Sequence, residues 1–336
     1  MPDLDRSTLL AMYEAMLLIR LLDERMMILQ RQGRVGFYGA CTGQEATPVA
    51  VAAALRPSDW LFPALREGAA MLYRGYDLTR YVSQVFGNAG DSTRGRQMPS
   101  HQSDRSVNQV SWGSCIGTQL PQAVGAAWAA KIQGRDAVTV GFMGDGATSE
   151  GDFHNALNFA GVYKVPCLLI CQNNHWSISM PTAAQTRARS IAEKALAYGV
   201  AFARVDGNDV LAVFAAVQEA AARARRGEGP AFIEALTYRI GAHSSSDDPR
   251  VYRSEDEVEV WKQRDPLERY RRFLVAEGRW TESQEEEARA RLGERIATAI
   301  AAAEAQPPPP AESLFEDVLA AIPRHLADQK AEWFGT

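Results

Sequence analysis

Two apolar segments, each leading into a short polar motif, constrain the fold of this chain most. Residues 138–143 (VTVGFM) have the length and composition of a buried β-strand, and a Gly-Asp-Gly motif begins directly after them at Gly144. A second apolar segment, 167–171 (CLLIC), leads into the Asn-Asn pair that begins at Asn173. The sequence predicts a helix over 149–162 between them. The order strand, helix, strand is typical of a doubly wound parallel α/β sheet, in which ligands bind at the carboxyl ends of the strands.

The residue types in these two motifs suit an anionic ligand that carries a metal ion. Gly144 and Gly146 let the backbone approach a phosphate closely, and the first amides of a following helix bind anions. Asp145 offers a carboxylate oxygen and Asn174 an amide oxygen. With a backbone carbonyl and two diphosphate oxygens, they would form an oxygen shell suited to Mg²⁺. The G-x-G-x-x-G pattern of dinucleotide sites fails, because Ser149 stands where its third glycine belongs.

The composition excludes several classes of protein. The chain has 336 residues and a formal net charge of −5, without the basic stripe typical of nucleic-acid binding. No apolar run approaches the roughly 20 residues of a membrane-spanning helix, and the first residues lack a signal-peptide layout. The four cysteines lie in apolar or glycine-rich contexts, which fits reduced thiols packed as small hydrophobic groups. We therefore expect a cytoplasmic protein with neither nucleic acid nor membrane as a partner.

The predicted elements divide the chain into three parts. Residues 1–35 form an N-terminal helical segment with one strongly apolar helix. Residues 36–250 form the α/β domain, in which strands and helices alternate. Residues 251–336 form a C-terminal helical extension, where charged amphipathic helices precede a last short helix over 314–322.

A GDG motif followed about thirty residues later by Asn-Asn resembles the thiamine-diphosphate motif. Further segments extend the resemblance over nearly the whole chain: 38–45 (YGACTGQE), 95–99 (GRQMP), 119–127 (QLPQAVGAA), 144–160 (GDGATSEGDFHNALNFA), 205–210 (VDGNDV) and 238–252 (YRIGAHSSSDDPRVY). Together they resemble the alpha subunits of the E1 component of 2-oxo acid dehydrogenase complexes. The GRQMP segment and the last segment resemble the branched-chain branch more than the pyruvate branch.

The resemblance implies a thiamine-diphosphate-binding fold and a set of site residues. Mg²⁺ would be held by the side chains of Asp145 and Asn174 and by the backbone carbonyl of Trp176. The cofactor would be bound by residues from several motifs, namely Arg66, Ser114, Ile116, Gly144, Asp145, Gly146, Ala147, Asn174 and His243. Arg66 would pair with the diphosphate, and Ile116 would be the apolar wedge that bends the cofactor. His243 would contact the diphosphate and serve the acyl-transfer half as a catalytic imidazole that titrates near neutrality.

The resemblance also implies the reaction and the partners. With a beta subunit, in an α₂β₂ heterotetramer, the chain would oxidatively decarboxylate a 2-oxo acid through thiamine diphosphate. It would then transfer the acyl group to the lipoyl group of an E2 acyltransferase. The branched-chain branch points to 3-methyl-2-oxobutanoate and to branched-chain amino acid catabolism, with pyruvate or acetoin as the alternative substrate. The carboxylate that activates the cofactor would come from the beta subunit. A scaffold subunit that has lost its chemistry is the alternative of another class.

Several positions leave alternatives open. Leu65 and Gln172 stand where related chains often have tyrosine and arginine, so phosphate affinity is either weaker or supplied differently. His101 is a further candidate for lining the site. Arg239 either touches ligand or braces its loop by pairing with Asp247 or Asp248. Ser244 matches a position that is phosphorylated in some family members, or it caps a turn.

Overall fold

A computed structural model of the chain describes residues 4–316 and 318–335. The helices are α1 (Arg6–Arg31), α2 (Ala46–Ala54), α3 (Gly68–Tyr73), α4 (Leu78–Phe86), α5 (Gln119–Ile132), α6 (Gly151–Tyr163), α7 (Thr182–Gln185), α8 (Val210–Arg225), α9 (Glu255–Lys262), α10 (Pro266–Ala276), α11 (Glu282–Glu304) and α12 (Arg324–Phe334). The strands are β1 (Trp60–Phe62), β2 (Thr139–Gly144), β3 (Cys167–Asn173), β4 (Trp176–Ser177), β5 (Met180–Pro181), β6 (Ala201–Asp206) and β7 (Ala231–Leu236).

Five strands form one parallel sheet in the order β1-β2-β3-β7-β6, while β4 and β5 form a small antiparallel pair. The register sets Gly144 at the end of β2 level with Gln172 on β3, and Gln172 level with Ala235 on β7. The carboxyl ends of three neighbouring strands therefore meet at one edge of the sheet. This arrangement confirms the predicted doubly wound parallel fold.

The sheet is covered on both faces, which explains why its central strand reads as an unbroken apolar run. Side chains on β3 alternate between two hydrophobic clusters. Leu168 and Ile170 join the cluster that includes α1 and α8, whereas Leu169 and Cys171 join the one that includes α5 and α6. Helices on both sides of a parallel sheet are the arrangement that this strand sequence predicts.

The predicted strands over 138–143 and 167–171 agree with β2 and β3 to within two residues, but two predicted helices differ. The predicted helix over 149–162 begins only at Gly151, because Asp145–Ser149 form a 3-10 turn first. The predicted helix over 314–322 is wrong: a 3-10 turn over Ala311–Phe315 precedes it, and the described part of 316–323 contains no helix. Pro323 disfavours helical backbone at the residue before it, so the next helix, α12, begins only after this proline.

A buried carboxyl on α1 fixes the glycine-rich turn that follows this helix. Asp23 is 1% exposed and accepts hydrogen bonds from the Tyr38 hydroxyl at 2.8 Å and from the Cys41 amide at 2.7 Å. The hydroxyl of Thr42 adds a weaker contact at 3.3 Å. One side chain therefore satisfies several donors of a turn that has little apolar surface of its own.

A second anchor holds the end of the same turn. Arg20, one helical turn before Asp23, donates to Glu45 at 2.5 Å and to Asp265 at 2.8 Å. Glu45 is fully buried and also accepts the Gly43 amide at 3.0 Å. Helix α1 and the start of α10 thus hold the residues that enter α2 in one geometry.

The N-terminal helix and the C-terminal helices share one core with the sheet. The Tyr13 hydroxyl on α1 donates to Glu285 on α11 at 2.6 Å, and the Trp280 indole donates to the same carboxyl at 3.0 Å. Leu292 and Ile296 of α11 belong to the hydrophobic cluster that contains α1. The division at residues 36 and 250 stays a prediction. Among the described residues, no helix combines the length and hydropathy needed to cross a membrane.

We expect Asp23→Ala to lower the free energy of unfolding by about 2–6 kcal/mol. The substitution leaves the Tyr38 hydroxyl and the Cys41 amide buried without their acceptor, and each such donor costs about 1–3 kcal/mol. Chemical unfolding followed by circular dichroism measures the difference. Glu24→Ala, an exposed neighbour on the same helix, is the matched control. Equal effects of the two substitutions would show that Asp23 does not anchor the turn.

Candidate functional site

A cavity of about 240 Å³ lies at the carboxyl edge of the sheet and contains all of the predicted site residues in its wall. These residues are Arg66, Ser114, Ile116, Gly144, Asp145, Gly146, Ala147, Asn174, Trp176 and His243. They come from the segments that follow β1, β2, β3 and β7 and from the loop before α5. Parallel strands bring these separate segments together because all of their carboxyl ends face the same edge.

Asp145 places a buried negative charge at this edge. Its carboxyl is 2% exposed, and its Oδ2 accepts hydrogen bonds from the Thr182 hydroxyl at 2.9 Å and the Gln185 amide at 2.8 Å. Both partners are neutral, and burial raises the pKa of Asp145 above its ordinary value. The described residues contain no group of three or more His, Cys, Asp or Glu side chains that could hold a metal ion. A cation beside Asp145 would compensate the cost of burying its charge.

The side chain of Gln44 fixes the orientation of the Asn174 amide. Asn174 donates through Nδ2 to Oε1 of Gln44 at 2.9 Å, and its Oδ1 accepts the Trp176 amide at 3.1 Å. Gln44 is fully buried, lines the cavity, and has no hydrogen-bond partner at its Nε2. Sequence alone gives Gln44 no role, since only the folded chain brings the two amides together.

The loop after β3 has a strained backbone. His175 and Ile178 have φ angles of 69° and 52°, in the left-handed region that a branched side chain such as isoleucine rarely adopts. Between them, Ser177 approaches Gly146 so closely that a Cβ atom there would lie 2.1 Å from the serine Oγ. The second glycine of the GDG motif is therefore required by packing. Strain of this kind is concentrated at functional sites in proteins.

Arg239 connects this loop to the segment that carries His243. The guanidinium is 1% exposed and donates to the Trp176 carbonyl at 3.3 Å and to the Tyr252 hydroxyl at 2.8 Å. Tyr252 in turn donates to Asp247 at 2.6 Å, and Asp247 accepts the backbone amide of His243 at 2.7 Å. Arg239 thus braces the loop, as one of the two predicted alternatives, but through Tyr252 and not by direct pairing with Asp247.

Arg66 and His243 form a positively charged end of the cavity. The Arg66 guanidinium donates to the His243 carbonyl at 2.8 Å and to the carbonyl of Ala40, and it lies 3.4 Å from Nδ1 of His243. Burial and the nearby charge of Arg239 lower the pKa of Arg66 to about 10. Burial, followed by the charges of Arg66 and Arg239, lowers the pKa of His243 to about 4. The expectation that this imidazole titrates near neutrality is therefore wrong for the site without ligand, where His243 is neutral.

The side of the cavity before α5 is open. Ile116 is 53% exposed, and Ser114 is exposed beside it. Nε2 of His101 lies 3.0 Å from the Ser114 hydroxyl, and its ring stacks on Trp112 with centroids 3.7 Å apart. His101 therefore supports Ser114 from behind and does not line the cavity wall itself.

A helix of the C-terminal extension supports the loop after β3. The Trp176 indole donates to Glu257 on α9 at 3.0 Å. Trp261 on the same helix stacks on Tyr238 with centroids 5.1 Å apart, and its ring lies 5.2 Å from that of His175. Helix α9 thus packs directly behind residues that lead into the cavity.

Comparison with known proteins agrees with this geometry. The family model of the dehydrogenase E1 component matches residues 13–312. The chain is 44% identical over 319 residues to the mitochondrial 2-oxoisovalerate dehydrogenase subunit alpha 2 of Arabidopsis thaliana, covering 95% of this chain and 68% of that protein. It is 49% identical over 289 residues to the 3-methyl-2-oxobutanoate dehydrogenase subunit alpha of Mycobacterium tuberculosis, covering 86% and 76%. The mitochondrial 2-oxoisovalerate dehydrogenase subunit alpha of Homo sapiens is 42% identical over 330 residues, covering 98% and 74%.

These relatives correct one expectation and establish the family. The expected cytoplasmic location is wrong as an inference from this sequence, because relatives of this similarity in Arabidopsis thaliana and Homo sapiens are named as mitochondrial proteins. A match over most of the chain, with identities above 40% to each of these relatives, leaves no doubt about kinship. The chain belongs to the dehydrogenase E1 component family, alongside the alpha subunits of 2-oxo acid dehydrogenases.

Proposed function

We propose that this chain is the alpha subunit of a branched-chain 2-oxo acid dehydrogenase E1 component, acting on 3-methyl-2-oxobutanoate or a close homologue. Membership of the E1 family implies thiamine diphosphate as the cofactor. The observation that carries the proposal is that all the residues matched to cofactor roles meet around one cavity. The named substrates of the relatives from Mycobacterium tuberculosis and Arabidopsis thaliana support the branched-chain assignment.

Mg²⁺ would be held by Asp145, Asn174 and the backbone carbonyl of Trp176. These are the hard oxygen ligands that Mg²⁺ prefers, and the ion shares its remaining positions with phosphate oxygens. Asp145 fits the role because it is buried beside neutral partners only. Asn174 fits because Gln44 occupies its Nδ2, which leaves Oδ1 as the end available to a cation.

The diphosphate would bind between the metal and the positively charged end of the cavity. Arg66 offers a planar donor suited to phosphate oxygens, and the backbone amides of Gly146 and Ala147 would add donors from the turn that follows Gly144. Thiamine diphosphate supplies, when bound, a nucleophilic carbon and an electron sink for decarboxylation. Ser114 and Ile116 would face its organic part at the open side of the cavity.

His243 would act as the catalytic proton donor of the acyl-transfer half. Its Nδ1 faces the Arg66 guanidinium, so the neutral imidazole carries its proton on Nε2. A diphosphate beside it would offset the two guanidinium charges that lower its pKa. With Arg66 paired to the diphosphate, Nδ1 would take up a proton, and the imidazolium would give its Nε2 proton to the thiolate of a lipoyl group and return to the neutral form.

A beta subunit and an E2 acyltransferase would complete the function. Membership of the E1 component family supports both partners, and the beta subunit would join the chain in an α₂β₂ assembly. Ile116 is a half-exposed apolar side chain in the wall of the cavity, as expected where a partner covers it. The carboxylate that activates the cofactor would come from that partner.

We expect Asp145→Asn to weaken thiamine diphosphate binding in the presence of Mg²⁺ by about 100-fold or more. The substitution removes the charged protein ligand while it keeps the shape of the side chain. Loss of a residue that only supports a metal ligand typically costs about 10- to 100-fold, so loss of a charged ligand itself should cost at least the upper value. Calorimetric titration of the co-purified complex measures the affinity. Asp152→Asn, in the first turn of α6 and outside the cavity wall, is the control. Wild-type affinity in Asp145→Asn would refute the metal assignment.

The substrate assignment predicts faster release of CO₂ from 3-methyl-2-oxobutanoate than from pyruvate. The chain is co-expressed with its beta subunit, and the complex is assayed with thiamine diphosphate, Mg²⁺ and a dye as electron acceptor. The alpha chain alone should release none, because it lacks the activating carboxylate. A preference for pyruvate would contradict the branched-chain assignment, and turnover by the alpha chain alone would contradict the shared site.

A further inference from the structure

Glu67 is a buried carboxyl in the wall of the cavity, next in sequence to Arg66. Its side chain is 2% exposed, and Oε2 accepts the backbone amides of Ala64 at 2.7 Å and Arg66 at 3.0 Å. Its Oε1 accepts a hydrogen bond from Nε2 of Gln172 at 2.5 Å. Glu67 therefore closes the turn that presents Arg66, and its hydrogen-bond donors are all uncharged.

The contact between Glu67 and Gln172 crosses the carboxyl end of a third strand. Glu67 follows β1, Gln172 lies on β3, and β2 runs between these two strands in the sheet. Gln172 is level with Gly144, where the GDG motif begins. This pair of side chains thus connects the turn of Arg66 to the strand of Asn174, across the site proposed for the diphosphate.

The polarity of the pair is wrong for an anion as long as Glu67 is ionised. Gln172 gives one N–H of Nε2 to Glu67, and its buried Oε1 has no donor. Both Gln172 and Glu67 line the cavity, so an ionised Glu67 places its negative charge in the wall beside an anionic diphosphate. The two ends of an amide are nearly equal in size, so a half-turn of the Gln172 amide exchanges them without repacking.

We propose that Glu67 takes up a proton when the diphosphate binds, and that Gln172 then turns its amide donor toward the ligand. The protonated carboxyl needs an acceptor opposite its O–H, so Oε1 of Gln172 takes the place of Nε2. This exchange satisfies the unpaired acceptor and leaves both N–H groups of Nε2 for phosphate oxygens. The neutral pair thereby supplies the donor that arginine would supply at position 172. This inference rests on the proposed function, since it concerns the same ligand and the same cavity.

Burial and the charges around Glu67 determine whether its pKa is raised or lowered. Burial raises the pKa of Glu67 to about 7, against the opposing effects of its backbone hydrogen bonds and of Arg66. Tyr81 faces it from α4, while Asp145 and His243 share the cavity from the ends of β2 and β7. At neutral pH Tyr81 and His243 carry no charge, because burial raises the pKa of the phenol and lowers that of the imidazole. An entering diphosphate carries more negative charge than one Mg²⁺ neutralises, so its binding raises the pKa of Glu67 further.

The affinity for the diphosphate depends on pH, because Glu67 holds its proton more tightly in the bound state. The affinity is greatest below about pH 7. Above that pH it falls by up to about tenfold per pH unit, until the pH exceeds the pKa of Glu67 in the bound state. The same linkage predicts net proton uptake on binding between these two pKa values.

The test is calorimetric titration of the co-purified complex with thiamine diphosphate and Mg²⁺ in buffers of different ionisation enthalpy. At about pH 8 the wild type should take up as much as one proton more than the Glu67→Gln variant. The glutamine mimics the protonated carboxyl, so the variant should bind at least as tightly as wild type at alkaline pH. It should also lose the fall in affinity between about pH 7 and pH 9.

Two controls separate proton uptake from a purely structural role. Gln172→Leu keeps the carboxyl but removes the amide, so it should weaken binding several-fold at every pH and retain proton uptake. Difference infrared spectroscopy of the wild type, which needs no variant, should detect the carbonyl stretch of a protonated carboxyl after binding. Equal proton uptake in wild type and Glu67→Gln, or no such band, would overturn the inference alone. A wild-type complex that binds no thiamine diphosphate would overturn the proposed function as well.

Discussion

The parallel pairing of β1, β2, β3 and β7 determines where every functional group of this chain lies. Since all four strands run the same way, the segments that follow them emerge at one edge of the sheet. Each segment brings a different group: the guanidinium of Arg66, the carboxyl of Asp145, the amide of Asn174 and the imidazole of His243. An antiparallel sheet of the same strands would separate these groups by the length of a strand.

The cavity combines opposite charges that the protein alone does not neutralise. The charge of Arg239 lowers the pKa of Arg66, and both guanidinium groups lower the pKa of His243, while Asp145 has only neutral hydrogen-bond partners. Buried charges without close counter-ions cost free energy, and the rest of the fold must offset this cost. A ligand that carries a divalent cation at one end and a diphosphate at the other satisfies both regions together. Binding should therefore also stabilise the folded chain.

Much of the fold and of the site could be predicted because the informative residues are close in sequence. Strand β3 is buried on both faces, so its composition alone identifies it, and the GDG and Asn-Asn motifs follow their strands directly. The three residues of β1 are too few to produce a periodic pattern. Gln44 and Glu67 were missed because their partners, Asn174 and Gln172, lie 130 and 105 positions away.

The prediction that His243 titrates near neutrality was also wrong because groups distant in sequence act on it. Sequence gives the ordinary proton affinity of an imidazole, but burial and two guanidinium groups from other segments set the actual value. The location was misjudged because composition and a missing leader pattern do not distinguish compartments among relatives of one fold. The helix predicted over 314–322 is absent from the described residues, because Pro323 disfavours helical backbone before it and precedes the next helix.

The contacts of α9 bear on how this chain could be shortened. Trp261 covers Tyr238 and His175, and Glu257 holds the indole of Trp176. A fragment ending at residue 250 would expose these aromatic rings to water and release the left-handed backbone at His175. A shortened chain that keeps the loop after β3 in place must therefore run at least to the end of α9.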